Sequence, residues 1–138
     1  EDIGYIGLRD CEEPELKLMD RLGIKNISVD ELRSEGVERI IHRLEEKYKD
    51  CDEIYVSFDV DSMDPELTSH GTGTPVPHGL SPEEATALLT HFANHPKVTC
   101  IEFVEVNPCL DEKTNRMAEV AYSLIKEVVE VVERRLGI

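Results

Sequence analysis

The stretch Glu53-Ile-Tyr-Val-Ser-Phe-Asp-Val-Asp-Ser-Met-Asp-Pro65 carries an apolar run directly into a series of acids. The run is rich in β-branched and aromatic residues, which predicts a buried strand over 53–58. Asp59 and Asp61 follow two residues apart where this strand ends, so both carboxylates can face one cation. Carboxylates in this setting suit Mg²⁺, Ca²⁺ or Mn²⁺. The same spacing also fits a strand–loop junction whose acids bind turn amides.

Strands and helices alternate on both sides of this stretch. Strands are predicted over 3–8, 25–28 and 98–106, and helices over 15–22, 28–48, 81–92 and 117–136. This order predicts an α/β fold, a three-layer parallel sheet with helices on both faces. Ligands of such sheets bind beyond the carboxyl ends of the strands. Acids and an amide cluster at three predicted strand ends, at 10–12, 59–61 and 105–107.

Composition bounds the class of protein. The chain has 138 residues, of which 40% are hydrophobic and 33% charged, as expected for one folded domain. A formal net charge of −15 argues against nucleic acid or an anionic membrane as partner. We therefore expect neither nucleic acid nor membrane binding.

The four cysteines show no CxxC spacing, which argues against a zinc site or a redox dithiol. Reduced thiols and the absence of a signal peptide predict a cytoplasmic protein. The chain begins at Glu1 rather than Met, so we expect it to be part of a longer protein.

Other metal and phosphate motifs fit the acidic stretch less well. An EF-hand would need a glycine after Asp64 and a preceding helix. A strand followed by D-x-D also occurs in haloacid-dehalogenase-like phosphatases, so a phosphatase is an alternative. The loop Gly71-Thr-Gly-Thr-Pro-Val-Pro-His-Gly-Leu80 lacks the lysine of a P-loop.

Taken together, the motifs resemble those of the ureohydrolase family, which includes arginase and agmatinase. They are Ser57-Phe-Asp-Val-Asp-Ser-Met-Asp-Pro65, Gly71-Thr-Gly-Thr-Pro-Val76, Glu105-Val-Asn-Pro108 and Tyr5-Ile-Gly-Leu-Arg-Asp10. They occur in family order across nearly the whole chain. The resemblance is to the C-terminal half of an arginase, so residues 1–138 are expected to be part of one ureohydrolase domain, without its N-terminal part.

The resemblance implies roles for individual residues. Asp59 and Asp61 correspond to ligands of a binuclear manganese site. Glu105 corresponds to the acid that pairs with the substrate's guanidinium group, and Thr74 to a residue that lines the pocket. Glu12 and Glu15 fall where arginases hold the substrate's α-amino group, although Glu12 stands where Asp is usual.

The implied reaction is hydrolysis of L-arginine to L-ornithine and urea by hydroxide formed at two Mn²⁺ ions. The family's other metal ligands lie in segments that this sequence does not contain, so we expect little catalysis from the chain alone. The resemblance also implies a small guanidino substrate and a homotrimer or homohexamer. Agmatinase, formimidoylglutamase and a non-catalytic metal- or partner-binding domain are alternatives. Within the resemblance, the acids after Asp10 and the presence of Val76 rather than an acid after Pro75 favour arginase over agmatinase.

Overall fold

Strands and helices alternate along the computed structural model, which describes residues 2–138. The strands are β1 (Gly4–Ile6), β2 (Lys25–Ile27), β3 (Ile54–Asp59) and β4 (Val98–Val104). The helices are α1 (Glu13–Leu22), α2 (Val29–Glu35), α3 (Val37–Tyr48), α4 (Pro82–Asn94) and α5 (Arg116–Leu136). None of the helices in residues 2–138 is long and apolar enough to cross a membrane.

The strands pair in parallel, as predicted, but they form two separate pairs rather than one continuous sheet. β1 pairs with β2, and β3 pairs with β4. Parallel neighbours need a crossover connection, and a helix lies within each one, α1 in the first and α4 in the second. The α/β class is thus built from two βαβ units.

The β3–β4 pair has one buried and one open face. Phe58 and Phe103 lie opposite each other in register, and their rings meet edge to face with centroids 5.4 Å apart. Tyr55 and Cys100 also lie opposite each other, but both are exposed, Tyr55 to 58%. Within residues 2–138, helices cover this pair on one side, whereas the sequence predicted helices on both faces.

Serine side chains cap the starts of α4 and α2. Ser81 Oγ accepts a hydrogen bond from Glu84 N at 3.2 Å, and Glu84 Oε2 accepts one from Ser81 N at 2.8 Å. This reciprocal capping box fixes the start of α4. Ser28 Oγ likewise accepts from Glu31 N and begins α2. The helix predicted over 28–48 is interrupted at Gly36, whose φ of 89° lies outside the helical region.

The hydrophobic core lies where α4 packs against α3, α5 and β4. Its fully buried side chains include Leu32, Ile40, Val60, Met63, Ala85, Ala93 and Met117. The first strand, Gly4–Ile6, is shorter than the predicted 3–8, and Tyr5 within it is 41% exposed. Leu136 at the end of α5 is 60% exposed and lies outside the core.

Gly71 lies where a loop meets the start of α5. A Cβ added there would lie 2.5 Å from Asp111 Cγ and 2.6 Å from Met117 Cβ. We expect Gly71→Ala to lower the free energy of unfolding by about 1–3 kcal/mol through overpacking. Urea denaturation measures this. Gly73→Ala is the matched control, since its nearest contact, Glu105 Oε2, is at 3.5 Å. Equal effects of the two substitutions would contradict the prediction.

Candidate functional site

The candidate site lies at the carboxyl ends of β3 and β4. In the parallel register Asp59 is opposite Val104, so Glu105 follows at the same edge of the pair. The sequence placed acids at three strand ends, and the register brings those that follow β3 and β4 to one edge. The charges of both Asp59 and Glu105 raise the pKa of Asp61.

A short 3₁₀ turn, Val60–Ser62, determines how the two aspartates are arranged. Asp59 Oδ1 accepts a hydrogen bond from Asp61 N at 3.0 Å, and Ser62 Oγ donates to Asp59 O at 2.6 Å. One oxygen of Asp59 therefore binds a turn amide, as the purely structural interpretation of these acids predicts. The bond also holds the Asp61 backbone against the Asp59 carboxylate.

The pKa of the Asp61 carboxyl is not what a solvated turn residue would have. Burial and the nearby Asp59 carboxylate together raise the pKa of Asp61 to about 6, although the charge of Arg9 opposes the rise. A half-buried carboxyl among other carboxylates is destabilised in its charged form. Cation binding at this position would relieve that repulsion.

Glu105 is held in an unusual backbone conformation. Its φ of 65° lies in the left-handed region, which non-glycine residues seldom adopt. Its Oε2 atom is the nearest side-chain neighbour of Gly73, 3.5 Å from where a Cβ would be. Thr74 follows Gly73 and is exposed. The structure thus brings the predicted guanidinium-binding acid next to the loop that carries Thr74.

The loop between β3 and α4 is tied back at both of its ends. Leu80 N donates to Ser62 O at 2.9 Å, and Asp64 N donates to Leu80 O at 2.9 Å. Asn107 N donates to Gly71 O at 2.8 Å, which fixes the middle of the loop against the residues after β4. The loop therefore lies over the strand ends.

Asp111 joins this loop to α5, a role that the sequence did not reveal. Its Oδ1 accepts from Ser69 Oγ at 2.6 Å and its Oδ2 from Met117 N at 2.8 Å. Burial alone would raise the pKa of Asp111, but the bonds from Ser69 and from backbone amides outweigh it and lower that pKa. Asp111 caps α5 from outside the helix.

Arg9 is the second residue whose role the sequence did not reveal. Its guanidinium group donates to the carbonyl oxygens of Asp61 at 2.6 Å, Ser62 at 2.8 Å and Val76 at 2.9 Å. It thereby connects the residues after β1 to the aspartate turn and to the loop. The sequence feature that could have indicated this role is the position of Arg9 between a predicted strand and a polar turn.

Glu12 and Glu15 lie at the start of α1. Glu15 Oε2 accepts a hydrogen bond from Glu12 N at 2.8 Å, so that carboxylate helps to begin the helix. Both residues are exposed. Their binding of a substrate α-amino group stays a prediction, as do the ligand roles of Asp59 and Asp61 and the substrate roles of Glu105 and Thr74.

The donors at this edge fit a divalent cation in kind but not in number. Carboxylate oxygens suit Mn²⁺ or Mg²⁺. Over residues 2–138, however, no three His, Cys, Asp or Glu side chains are grouped so that they could hold a metal ion. As metal ligands, Asp59 and Asp61 would thus supply two carboxylates of a larger set.

Comparison with known proteins identifies the family. The arginase family model matches residues 1–130. The chain belongs to the arginase family. An arginase of Brevibacillus brevis is 35% identical over 129 residues, which cover 93% of this chain and 43% of that protein. The chain thus spans less than half the length of the family members that it matches.

Solved arginase structures share the fold. The Bacillus caldovelox arginase has a TM-score of 0.82 and 35% identity, and covers 91% of this chain and 42% of its own. The Entamoeba histolytica arginase, solved in complex with L-ornithine, has a TM-score of 0.85 and 29% identity over 92% of this chain and 42% of its own. The predicted family and the arginase-like α/β fold are confirmed.

Two solved structures that carry other enzyme names also match. A hypothetical agmatinase of Burkholderia thailandensis has a TM-score of 0.77 and 26% identity over 98% of this chain and 40% of its own. A formimidoylglutamase of Bacillus subtilis has a TM-score of 0.85 at 22% identity over 94% of this chain and 41% of its own, which shows the fold alone. Because the chain belongs to the arginase family, the phosphatase alternative is set aside. The choice among amidine substrates stays open.

The raised pKa of Asp61 predicts a pH dependence of stability. Its carboxyl has an ordinary pKa of 3.8 and a pKa of about 6 in the folded chain. Between these values the folded chain holds more protons than the unfolded chain. The contribution of Asp61 to the free energy of unfolding therefore falls as pH rises through this window.

Asp61→Asn is expected to remove this dependence. Urea denaturation of both proteins at about pH 4 and about pH 7 measures it, and the variant should gain stability relative to wild type at the higher pH. Asp52→Asn, an exposed carboxyl elsewhere, is the control and should keep the wild-type profile. Parallel profiles for wild type and Asp61→Asn would contradict the prediction.

Proposed function

We propose that this chain supplies part of the active site of a manganese-dependent arginase that hydrolyses L-arginine to L-ornithine and urea. The observation that carries the proposal is that β3 and β4 end at the same edge, where the charges of Asp59 and Glu105 both act on Asp61 and raise its pKa. One group of acids there can serve both a metal and a cationic substrate. Family membership supports the reaction class.

Asp59 and Asp61 are the proposed metal ligands. When bound, Mn²⁺ acidifies a water molecule and supplies a nucleophile near neutral pH. The hydrogen bond from Asp61 N holds the Asp59 carboxylate, and the hydrogen bond from Arg9 Nη2 holds the main-chain carbonyl of Asp61. Two carboxylates do not complete a coordination shell, so we infer that the 138-residue chain alone hydrolyses little or no arginine.

Glu105 is the proposed partner of the substrate's guanidinium group. A guanidinium is planar and stays protonated at any working pH, and a carboxylate binds two of its N–H groups in parallel. The left-handed backbone of Glu105 places its carboxylate beside Gly73 and within electrostatic reach of Asp61. Substrate bound there would lie next to the metal ligands, with Thr74 in the adjoining loop.

The choice of L-arginine rests on the family comparisons, in which arginases match at 29–35% identity. The matched Entamoeba histolytica arginase was solved with L-ornithine, an α-amino acid. Glu12 and Glu15 offer exposed carboxylates that the α-amino group of such a substrate could bind. Agmatine keeps this amine and lacks the α-carboxylate, so these two acids do not by themselves select arginine. Hydrolysis of agmatine or of N-formimidoyl-L-glutamate is the alternative, since Glu105 would serve those amidines as well.

The test is Mn²⁺-dependent hydrolysis by the full-length product of the gene that carries this sequence. We expect urea from L-arginine and much less from agmatine, and loss of at least about 100-fold in kcat/KM for Glu105→Gln, which removes the charged partner. Glu102→Gln, an acid on the same strand whose carboxylate binds Ser57 Oγ, is the control and should keep activity.

The outcomes separate the alternatives. Hydrolysis of agmatine or formimidoylglutamate without that of arginine would replace the proposed substrate. A folded protein that hydrolyses none of the three would contradict the enzymatic proposal and favour a non-catalytic domain.

A further inference from the structure

Arg9 makes a set of hydrogen bonds that serves several segments at once. Nη1 donates to Gly7 O at 2.8 Å and to Ser62 O at 2.8 Å. Nη2 donates to Asp61 O at 2.6 Å and to Val76 O at 2.9 Å, with a longer contact to Met63 O at 3.4 Å. All of these acceptors are backbone carbonyls. A planar guanidinium with donors in fixed directions is the side chain suited to such a set.

These bonds act on the part of the chain that orients the aspartates. Three consecutive carbonyls, those of Asp61, Ser62 and Met63, point at one guanidinium. The amide of the same Asp61 donates to Asp59 Oδ1 at 3.0 Å. A residue whose carbonyl and amide are both held has little freedom to turn. Arg9 therefore restrains Asp61 from its carbonyl side, while the bond to Asp59 restrains it from its amide side.

Arg9 is itself held in place. Leu8 N donates to Asn26 Oδ1 at 3.2 Å, and Asn26 Nδ2 donates to Leu8 O at 2.9 Å. This reciprocal pair ties the residue before Arg9 to β2. The β1–β2 unit is thereby linked to the end of β3 through one side chain.

We propose that Arg9 is a positioning residue that fixes Asp61 relative to Asp59 and holds the Val76 end of the loop over them. The inference rests on the proposed function in that the two aspartates are taken as metal ligands. Arg9 itself binds neither metal nor substrate. Its action is through the backbone of residues 61–63.

Arg9→Lys separates this role from charge alone, because lysine keeps the positive charge but lacks the planar set of donors. Arg33→Lys is the matched control. Arg33 also joins distant segments, donating to Gly79 O at 3.0 Å and to Glu84 Oε1 at 2.9 Å, away from the aspartates. Both variants are first compared with wild type by urea denaturation of the 138-residue chain.

The first readout is amide hydrogen exchange at Asp61, measured by NMR without metal and corrected for global stability. We expect exchange about tenfold faster in Arg9→Lys and unchanged in Arg33→Lys, since only the former loosens the bond to Asp59 Oδ1. Unchanged protection of Asp61 in Arg9→Lys, or equal loss in both variants, would overturn the inference. This readout involves no metal, so it decides the inference even if the proposed function fails.

The second readout is paramagnetic broadening of amide signals during titration with Mn²⁺. If the aspartates are ligands, Arg9→Lys should need about tenfold more Mn²⁺ than wild type or Arg33→Lys to broaden residues 59–61. Equal Mn²⁺ dependence in all three proteins would overturn the link between Arg9 and the metal site. Absence of broadening at these residues in wild type would overturn the proposed metal site itself.

Discussion

The parallel pairing of β3 with β4 is the constraint on which the site depends. In this register Asp59 lies opposite Val104, so the chain leaves both strands at the same edge, and Asp61 and Glu105 follow there. An antiparallel pairing would have sent these acids to opposite ends of the strands. The crossover through α4 makes the parallel pairing available, and the Ser81–Glu84 capping box fixes where that helix begins.

Bringing acids together has an electrostatic cost that the fold only partly offsets. The charge of Arg9 opposes the rise in the pKa of Asp61, but burial and the two neighbouring carboxylates prevail. The Arg9 guanidinium donates its hydrogen bonds to carbonyl oxygens rather than to a carboxylate. The acids are therefore not neutralised by an ion pair with Arg9. The site consequently keeps a concentration of negative charge, which is what binding of metal cations and of a guanidinium requires.

Much of this architecture could be predicted from the sequence because the signals are local. The β-branched run before Asp59 predicts β3, and motif order identifies the family. A serine followed three residues later by a glutamate, at 28–31 and at 81–84, predicts the starts of α2 and α4. The sequence could not show that the strands would form two pairs. Nor could it show that helix 28–48 would be interrupted at Gly36, since an isolated glycine is tolerated within a helix.

The missed contacts are all long-range. Arg9 reaches carbonyls 52 to 67 residues away, and Asp111 bonds Ser69 across 42 residues. No periodicity or spacing encodes such contacts. The left-handed backbone of Glu105 was also invisible in the sequence, because it follows from how the chain leaves β4.

Binding of one divalent cation by Asp59 and Asp61 together, at the carboxyl end of β3, is what the proposed function requires. It can be observed by anomalous diffraction at the manganese absorption edge from crystals of the full-length protein grown with Mn²⁺. We expect an anomalous peak within coordination distance of both carboxylates, at about 2.0–2.6 Å from their oxygens. An ordered site with no peak at these carboxylates, or a peak coordinated only by other residues, would show that the two aspartates are not the metal ligands.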